Sequence, residues 1–372
     1  LQPLNSNHCI EANMTLDSRN IPVSELFSFV EAALGSTGLS QADARITAEA
    51  LVSTDMLGVF THGSKLLAGY LKKLQGGGYP PDAAPRIERE GPAWAIVDGQ
   101  AGLGQVGCQF ALETTMKKAG PLGVAFAALR NTGHIGAAGH FAAKAARCGF
   151  IAMITGNDMP SVAAPGSKKA VLGSNPLAYA IPTAGDPILL DMATSAVAGG
   201  KVYAAHTRGE PIPPTWLIGP DGHPTTDGSL YPHVAALAPM AGHKGYGLAL
   251  WCEVLSALIP GGAMTWQVGS WIFDPPSNPS RHNASILLIN VDALTDRAEF
   301  NARVKSLVNE IHHAPTAEGV ESVLLPGERE WANTEAARKS GIPLPEDVRI
   351  KLREAAEIAG LPIPPLLGNT IS

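Results

Sequence analysis

Charge is sparse in this chain: Asp, Glu, Lys and Arg supply 16% of the residues, and the net charge is −6. No Lys/Arg stripe runs along it, so nothing favours nucleic acid as a partner. Cysteine is scarcer still. Cys9, Cys108, Cys148 and Cys252 lie far apart, which argues against a disulfide framework or a thiolate zinc site and fits a reducing cytosol. Long hydrophobic runs are missing too. The longest, residues 248–259, is interrupted by Glu253 and falls short of the ~20 apolar residues that span a bilayer. Residues 1–13 lack the basic-then-apolar pattern of a secretory signal, Met14 opens a plausible start, and residues 1–20 read as a tail. No repeat of about 20–50 residues is visible. These absences lead us to expect a cytoplasmic protein that acts on a small molecule, without nucleic acid or membrane.

Hydrophobic residues make up 45% of the chain, and its 40 glycines and 30 prolines are scattered between apolar runs. Such scattering reads as turns in a loop-rich α/β protein, not as disorder. At 372 residues the chain can hold two or more cores, since single cores stop growing at roughly 250–300 residues.

Pro22 suits a first helical turn, and Leu26, Phe27, Val30 and Ala33 recur at helical spacing until Gly35. Ser40 can cap a second helix with Ile46, Ala50, Leu51 and Met56 on one face. A third helix is expected over residues 64–74, then a connector rich in glycine and proline. Strands are expected at residues 94–97, 124–129, 150–154, 177–181 and 188–190, alternating with helices at 105–119, 137–148 and 196–205. Residues 208–239 read as a surface loop. A helix at 245–258, a strand at 286–291 and helices at 299–312, 330–339 and 346–359 complete the chain. Alternation alone suggests a parallel sheet.

Chemistry concentrates between Asn131 and Ser195. Asn131-Thr-Gly-His134-Ile-Gly136, Gly156-Asn157-Asp158, Gly173-Ser-Asn175-Pro176 and Asp191-Met192-Ala193-Thr194-Ser195 fall at the ends of apolar runs. Glycine lets a ligand approach the backbone, and Asn offers both a donor and an acceptor. His134 precedes a helix, whose N-terminus disfavours an imidazolium. Thr61-His62-Gly63 supplies a second loop histidine, and an imidazole with a reference pKa of roughly 6.5 suits acid–base work. His140 lies six residues beyond His134, but no third ligand completes a set, so no metal is expected. Asp191 to Ser195 can cap a helix or receive a ligand. Lys244-Gly245, at the start of an apolar helix, offers a cation and helix N–H groups to a pyrophosphate.

Gly102-Leu-Gly104-Gln105-Val-Gly107 matches a dinucleotide fingerprint, after a strand and before a helix. The next strand ends in Leu129-Arg130 without an acidic ribose anchor, and three residues separate the first glycine from its strand. A glycine-rich turn with close helix packing is the preferred reading.

These residues, together with Asp55-Met-Leu-Gly58-Val-Phe-Thr61-His62-Gly63, Val97-Asp-Gly99, Gly242-His-Lys244-Gly245-Tyr-Gly247 and Leu325-Pro326-Gly327-Glu328, resemble the type 2 malate/L-lactate dehydrogenase family. The resemblance runs from about residue 21 to 361. It implies a non-Rossmann nucleotide-binding fold: a large mixed, partly antiparallel sheet flanked by helices, with N- and C-terminal helices joined in one discontinuous part. The implied division is a helical domain of residues 21–90 plus 315–372 and a cofactor-binding domain of residues 91–314, with a small inserted region near 206–240. It also implies a homodimer using NAD, with NADP open, and hydride transfer at C2 of a 2-hydroxy or 2-oxo acid. Two alternatives are reduction of a cyclic imine carboxylate and a nucleotide-binding relative that has lost turnover. By resemblance His62 and His134 are catalytic, with His62 favoured as donor. Lys65, Tyr70 and Asn175 would meet substrate. Asn157, Asn175, Asp191, Met192, Ala193, Lys244, Gly245, Pro326, Gly327 and Glu328 would hold cofactor. Thr61 stands where relatives have serine, and Lys65 where they often have arginine, which keeps the charge but loses the two-pronged bond to a carboxylate.

Overall fold

The computed structural model describes residues 20–367, so most of the expected tail lies outside the described residues. Helices α1 (Val23–Gly35), α2 (Gln41–Met56) and α3 (Leu67–Gln75) come first. Pro22 precedes α1 with φ −56°, and the Ser40 hydroxyl accepts the Asp43 N–H at 3.1 Å to cap α2. The helical stripes of Leu26, Val30, Leu51, Leu67 and Leu71 meet Ile342, Val348 and Leu352 from the far end of the chain in one buried cluster. Ile21 and Ile342 exchange backbone hydrogen bonds of 3.0 and 2.8 Å.

The main sheet is built from β1 (Arg86–Gly91), β2 (Trp94–Asp98), β3 (Val124–Thr132), β4 (Phe150–Gly156), β7 (Leu177–Ile181), β8 (Ile188–Met192) and β12 (His282–Asn290), in the order β1-β2-β3-β12-β4-β7-β8. Only β2 and β3 run parallel; every other neighbouring pair is antiparallel. The parallel sheet suggested by alternation is thus replaced by the mixed sheet. β12 inserts between β3 and β4 and runs against both, and the pairs β1–β2, β4–β7 and β7–β8 are antiparallel without it. Helices α4 (Gly104–Leu122) and α5 (Ala138–Arg147) pack on the sheet through Cys108, Leu112, Phe141 and Ala145, against Leu129, Ile154 and Ile286.

A smaller sheet collects β5 (Val162–Ala163), β6 (Ala170–Leu172), β9 (Leu217–Ile218), β10 (Pro224–Thr225) and β11 (Ala236–Leu237). With α6 (Gly199–Thr207) it encloses a third cluster of Val162, Val202, Ile212, Leu217 and Leu237. These strands of two or three residues are too short for alternation to show, which is why residues 208–239 read as loop. β1 also escaped notice, because it is an exposed edge strand carrying charge on both faces. Helix α6 begins at Gly199 instead of residue 196, since residues 196–198 are used to enter it. Helices α7 (His243–Glu253), α8 (Val291–Leu294), α9 (Arg297–His312), α10 (Glu328–Ser340) and α11 (Glu346–Ala359) complete the described chain. Among the described residues no helix is long and apolar enough to cross a membrane.

Candidate active site

A cleft of about 1900 Å³ is bordered by the segment between α2 and α3, the loops after β3 and β4, the end of β8, the start of α6, residues 264–273 and the turn before α10. His62 and His134 face it with ring centroids 5.8 Å apart.

The His62 turn is held from below by Asp55. That carboxylate is buried near the end of α2, and its Oδ2 accepts the Ser64 N–H at 2.9 Å. Gly63 is required here, because a Cβ on it would collide with the Asp55 carboxyl. Burial pushes the Asp55 pKa up to about 7, against the pull of its hydrogen bonds with Ser64. His62 Nδ1 lies 3.0 Å from Thr61 Oγ1. Enclosure by protein lowers the His62 pKa, while the Asp191 and Asp158 carboxylates draw it back up.

The His134 loop rests on the glycine-rich segment. A Cβ at Gly104 would strike the Gly133 and His134 carbonyls, and one at Gly107 would meet Thr132 Oγ1 at 2.8 Å. The fingerprint glycines therefore serve the preferred reading, close packing of α4, and within that segment no residue lines the cleft. His134 Nδ1 lies 2.8 Å from the Tyr70 hydroxyl, and its backbone N–H donates to Tyr79 Oη at 3.2 Å. The Trp271 ring stacks on His134 at 5.0 Å, and the His282 ring meets it edge-on at 5.6 Å. Burial, reinforced by the neighbouring His282 and His62, holds the His134 pKa well below the usual histidine range.

Asp158 and His282 pair through Oδ1 and Nε2 at 3.1 Å, and both line the cleft. Asp191 opens onto the same space, and its Oδ2 accepts the Gly139 N–H at 2.7 Å. Asp191 is exposed to the cleft, where crowding by the surrounding walls desolvates its carboxyl and raises the pKa, with Gly139 and His62 acting against it.

Residues 21–353 match the malate/L-lactate dehydrogenase family. The chain belongs to that family. A malate dehydrogenase of Pyrococcus abyssi is 36% identical over 352 residues, covering 92% of this chain and 95% of its own. The ureidoglycolate dehydrogenase (NAD(+)) of Escherichia coli K12 is 34% identical over 324 residues, 87% and 92% of the two chains. The solved sulfolactate dehydrogenase of Methanocaldococcus jannaschii superposes with a TM-score of 0.86 at 33% identity, covering 92% of this chain and 98% of that one. The protein is therefore an oxidoreductase of a nicotinamide-dependent family.

Within this malate/L-lactate dehydrogenase fold, the cleft gathers His62, Lys65, His134, Asn157, Asp191, Met192, Ala193, Pro326 and Gly327. Other expected site residues lie elsewhere. Tyr70 is fully buried and reaches the site through His134. Asn175 is fully buried too; its Nδ2 donates to Ala249 O at 3.0 Å and Glu253 Oε2 at 2.8 Å, and its Oδ1 accepts the Asp158 N–H. Both were expected to touch substrate; both are buried, Tyr70 against His134 and Asn175 against Asp158. Lys244 is exposed at the start of α7 and Gly245 packs on the Met240 carbonyl, both outside the cleft lining. Glu328 fixes the turn before α10 by accepting the Leu325 N–H at 2.9 Å. Lys65 lines the cleft while its Nζ contacts Asp347 Oδ2 at 2.6 Å. His140 bonds Ser53 Oγ at 2.7 Å inside the helical packing, and no metal-ligating cluster occurs among the described residues.

Sequence reasoning passed over Asp158, Trp271 and His282. Asp158 stood in a quoted motif, but only its glycine and asparagine neighbours carried a recognisable signal. Trp271 precedes β12 and His282 opens it, both more than 130 residues beyond His134, and only the insertion of β12 beside β3 brings them to the loop.

Proposed function

We propose that this dehydrogenase moves a hydride between a bound nicotinamide and C2 of a small 2-hydroxy or 2-oxo acid. The observation that carries the reading is the pair of histidines on one cleft wall, 5.8 Å apart, with Asp191 and Asp158 acting on them. One ring can exchange a proton with the substrate oxygen while the other orients it.

The cleft fits a dinucleotide. Its volume exceeds the roughly 300–1,000 Å³ of ordinary ligand pockets, leaving room for cofactor and acid together. Gly136, Gly139, Gly199, Gly200 and Gly327 border it without side chains. Lys168, Lys169, Lys201 and Arg329 line it as well, providing cations for phosphate. Asp191, Met192, Ala193, Pro326 and Gly327 would hold the dinucleotide, which supplies or accepts the hydride. His62 would then give the forming alkoxide its proton, or remove the proton from the alcohol in oxidation. Because the His62 pKa is lowered, reduction should slow as pH rises through that value, and oxidation should speed up. Lys65 would attract the substrate carboxylate, with Asp347 holding the ammonium in place.

Oxidation of NADH and of NADPH, each with a panel of 2-oxo acids, tests the reading and separates the two nucleotides. His62→Asn should cut turnover by roughly 10²–10⁴ and leave cofactor affinity near the parental value. Near-parental turnover in both His62→Asn and His134→Asn contradicts the proposed chemistry.

A further inference from the structure

We propose that Tyr70 and Gln105 lock His134 as its Nε2–H tautomer, so that His134 is a fixed hydrogen-bond donor to the substrate oxygen and proton transfer falls to His62. The inference rests on the reading above and assigns the two histidines different work.

Hydrogen-bond direction carries it. Gln105 belongs to the first turn of α4 and is fully buried. Its Nε2 lies 3.1 Å from the Tyr70 hydroxyl and 3.4 Å from the His134 carbonyl. Turning the amide over would point its oxygen at that carbonyl, acceptor against acceptor, so the nitrogen faces Tyr70. An amide nitrogen only donates, and Tyr70 Oη therefore accepts. The Tyr70 hydrogen then has two acceptors in reach: His134 Nδ1 at 2.8 Å and His134 O at 3.5 Å. The shorter contact takes it, since a hydroxyl hydrogen bond has its mode near roughly 2.7–2.8 Å. The opposite arrangement would aim two N–H donors at one phenol oxygen and leave its hydrogen the 3.5 Å contact. Burial keeps Tyr70 protonated throughout the working range.

With Nδ1 accepting, the neutral ring carries its proton on Nε2. That atom makes no hydrogen bond within the described residues, and His134 lines the cleft. Such a nitrogen can polarise a carbonyl or steady an alkoxide, but it cannot take a proton. A protonated ring would need Nδ1–H to face the Tyr70 hydrogen, so the same contact opposes the imidazolium.

The loop is fixed from the other side by a one-way chain. The His134 N–H donates to Tyr79 Oη at 3.2 Å, which leaves the Tyr79 hydrogen for Ser280 Oγ at 2.9 Å. Ser280 then donates to His282 Nδ1 at 2.9 Å, and His282 Nε2–H donates to Asp158 Oδ1 at 3.1 Å. A backbone N–H starts the chain and a carboxylate ends it, and with His282 neutral every direction between them follows. The titratable groups facing His134 are thus Tyr70, Tyr79, His62, His282 and, through His282, Asp158. His62 has no such lock. Its Nδ1 meets the Thr61 hydroxyl, which can donate or accept, and two carboxylates favour its proton.

Nitrogen NMR of the ¹⁵N-histidine-labelled, ligand-free protein reads the tautomer directly, with His134→Gln assigning the resonance. The lock predicts a protonated Nε2 and a bare Nδ1 from about pH 6 to 9, and loss of that single form in Tyr70→Phe. A proton on Nδ1 in the parent overturns it. Turnover against pH supplies a second readout: His134→Gln, whose amide can also donate, should keep the parental titration, and His62→Gln should lose it. The reverse pattern overturns the assignment of roles. Tyr70→Phe should lower kcat at least tenfold with cofactor affinity within twofold, and unchanged kcat overturns the positioning role. The NMR result needs no substrate, so it can fail while the acid panel succeeds, or hold while the panel fails.

Discussion

Asp55 offers a perturbation whose size follows from the structure. Its carboxyl is buried beneath the His62 turn, and its pKa rises from 3.8 to about 7. The neutral form is therefore the one the fold prefers. Linkage fixes the sign: the favourable term is present below pH ~4, where the unfolded chain is also protonated, and is lost as pH rises through ~7. The gap between those values, at ~1.4 kcal/mol per pH unit, corresponds to ~4 kcal/mol at pH 8 as an order of magnitude. Asp55→Asn removes the titration and keeps an oxygen for the Ser64 N–H. The variant should match the parent within ~1 kcal/mol near pH 4.5 and exceed it by a few kcal/mol at pH 8, judged by urea midpoints at both pH values. Background titration from other groups cancels in the comparison. Equal pH dependence in the two proteins would refute the reasoning.

His140 carries the opposite sign: burial, with Lys144 and Arg147 nearby, lowers its pKa to about 3. Its contribution is complete above the ordinary 6.5 and fades as pH falls toward 3, so His140→Gln should flatten the acid limb of a thermal-unfolding series between pH 6.5 and 4; an unchanged limb would assign it elsewhere. Gly104→Ala forces a methyl onto the Gly133 and His134 carbonyls and should cost ~2 kcal/mol or more of stability, with turnover down at least tenfold. Activity and melting temperature at parental values would disprove that packing role. Leu250, Trp251, Leu258 and Ile259 are all exposed and lie outside the cleft lining, a cost that an isolated chain would carry without return. We expect a homodimer, with light scattering giving about twice 38.6 kDa; a monomer at micromolar concentration would contradict it.

The sequence was most legible where chemistry and backbone geometry coincide. Glycine beside His62 and His134 announced close approach, and both rings stand on one wall 5.8 Å apart. Helix α2 could be read from its Ser40 cap, and α11 was expected over the residues it occupies. Sheet order could not, because alternation is blind to strand direction and nothing local in residues 282–290 says that they pair between β3 and β4. Tyr70 and Asn175 show another limit. Their residue types suit a ligand, but the sequence does not show that both side chains are buried. Gln105 is the converse case, noticed for its glycine neighbours and placed by the fold on Tyr70.

The central claim is that a hydride passes between nicotinamide and C2 of a 2-oxo acid. Cofactor carrying deuterium at the transferring position of the ring, turned over with the acid panel and with cyclic imine carboxylates, tests it most directly. Deuterium should appear at C2 of a 2-hydroxy acid product and be absent from the same product when unlabelled cofactor is used in heavy water. Deuterium found only in imine-derived products, or in no product despite bound cofactor, would contradict it.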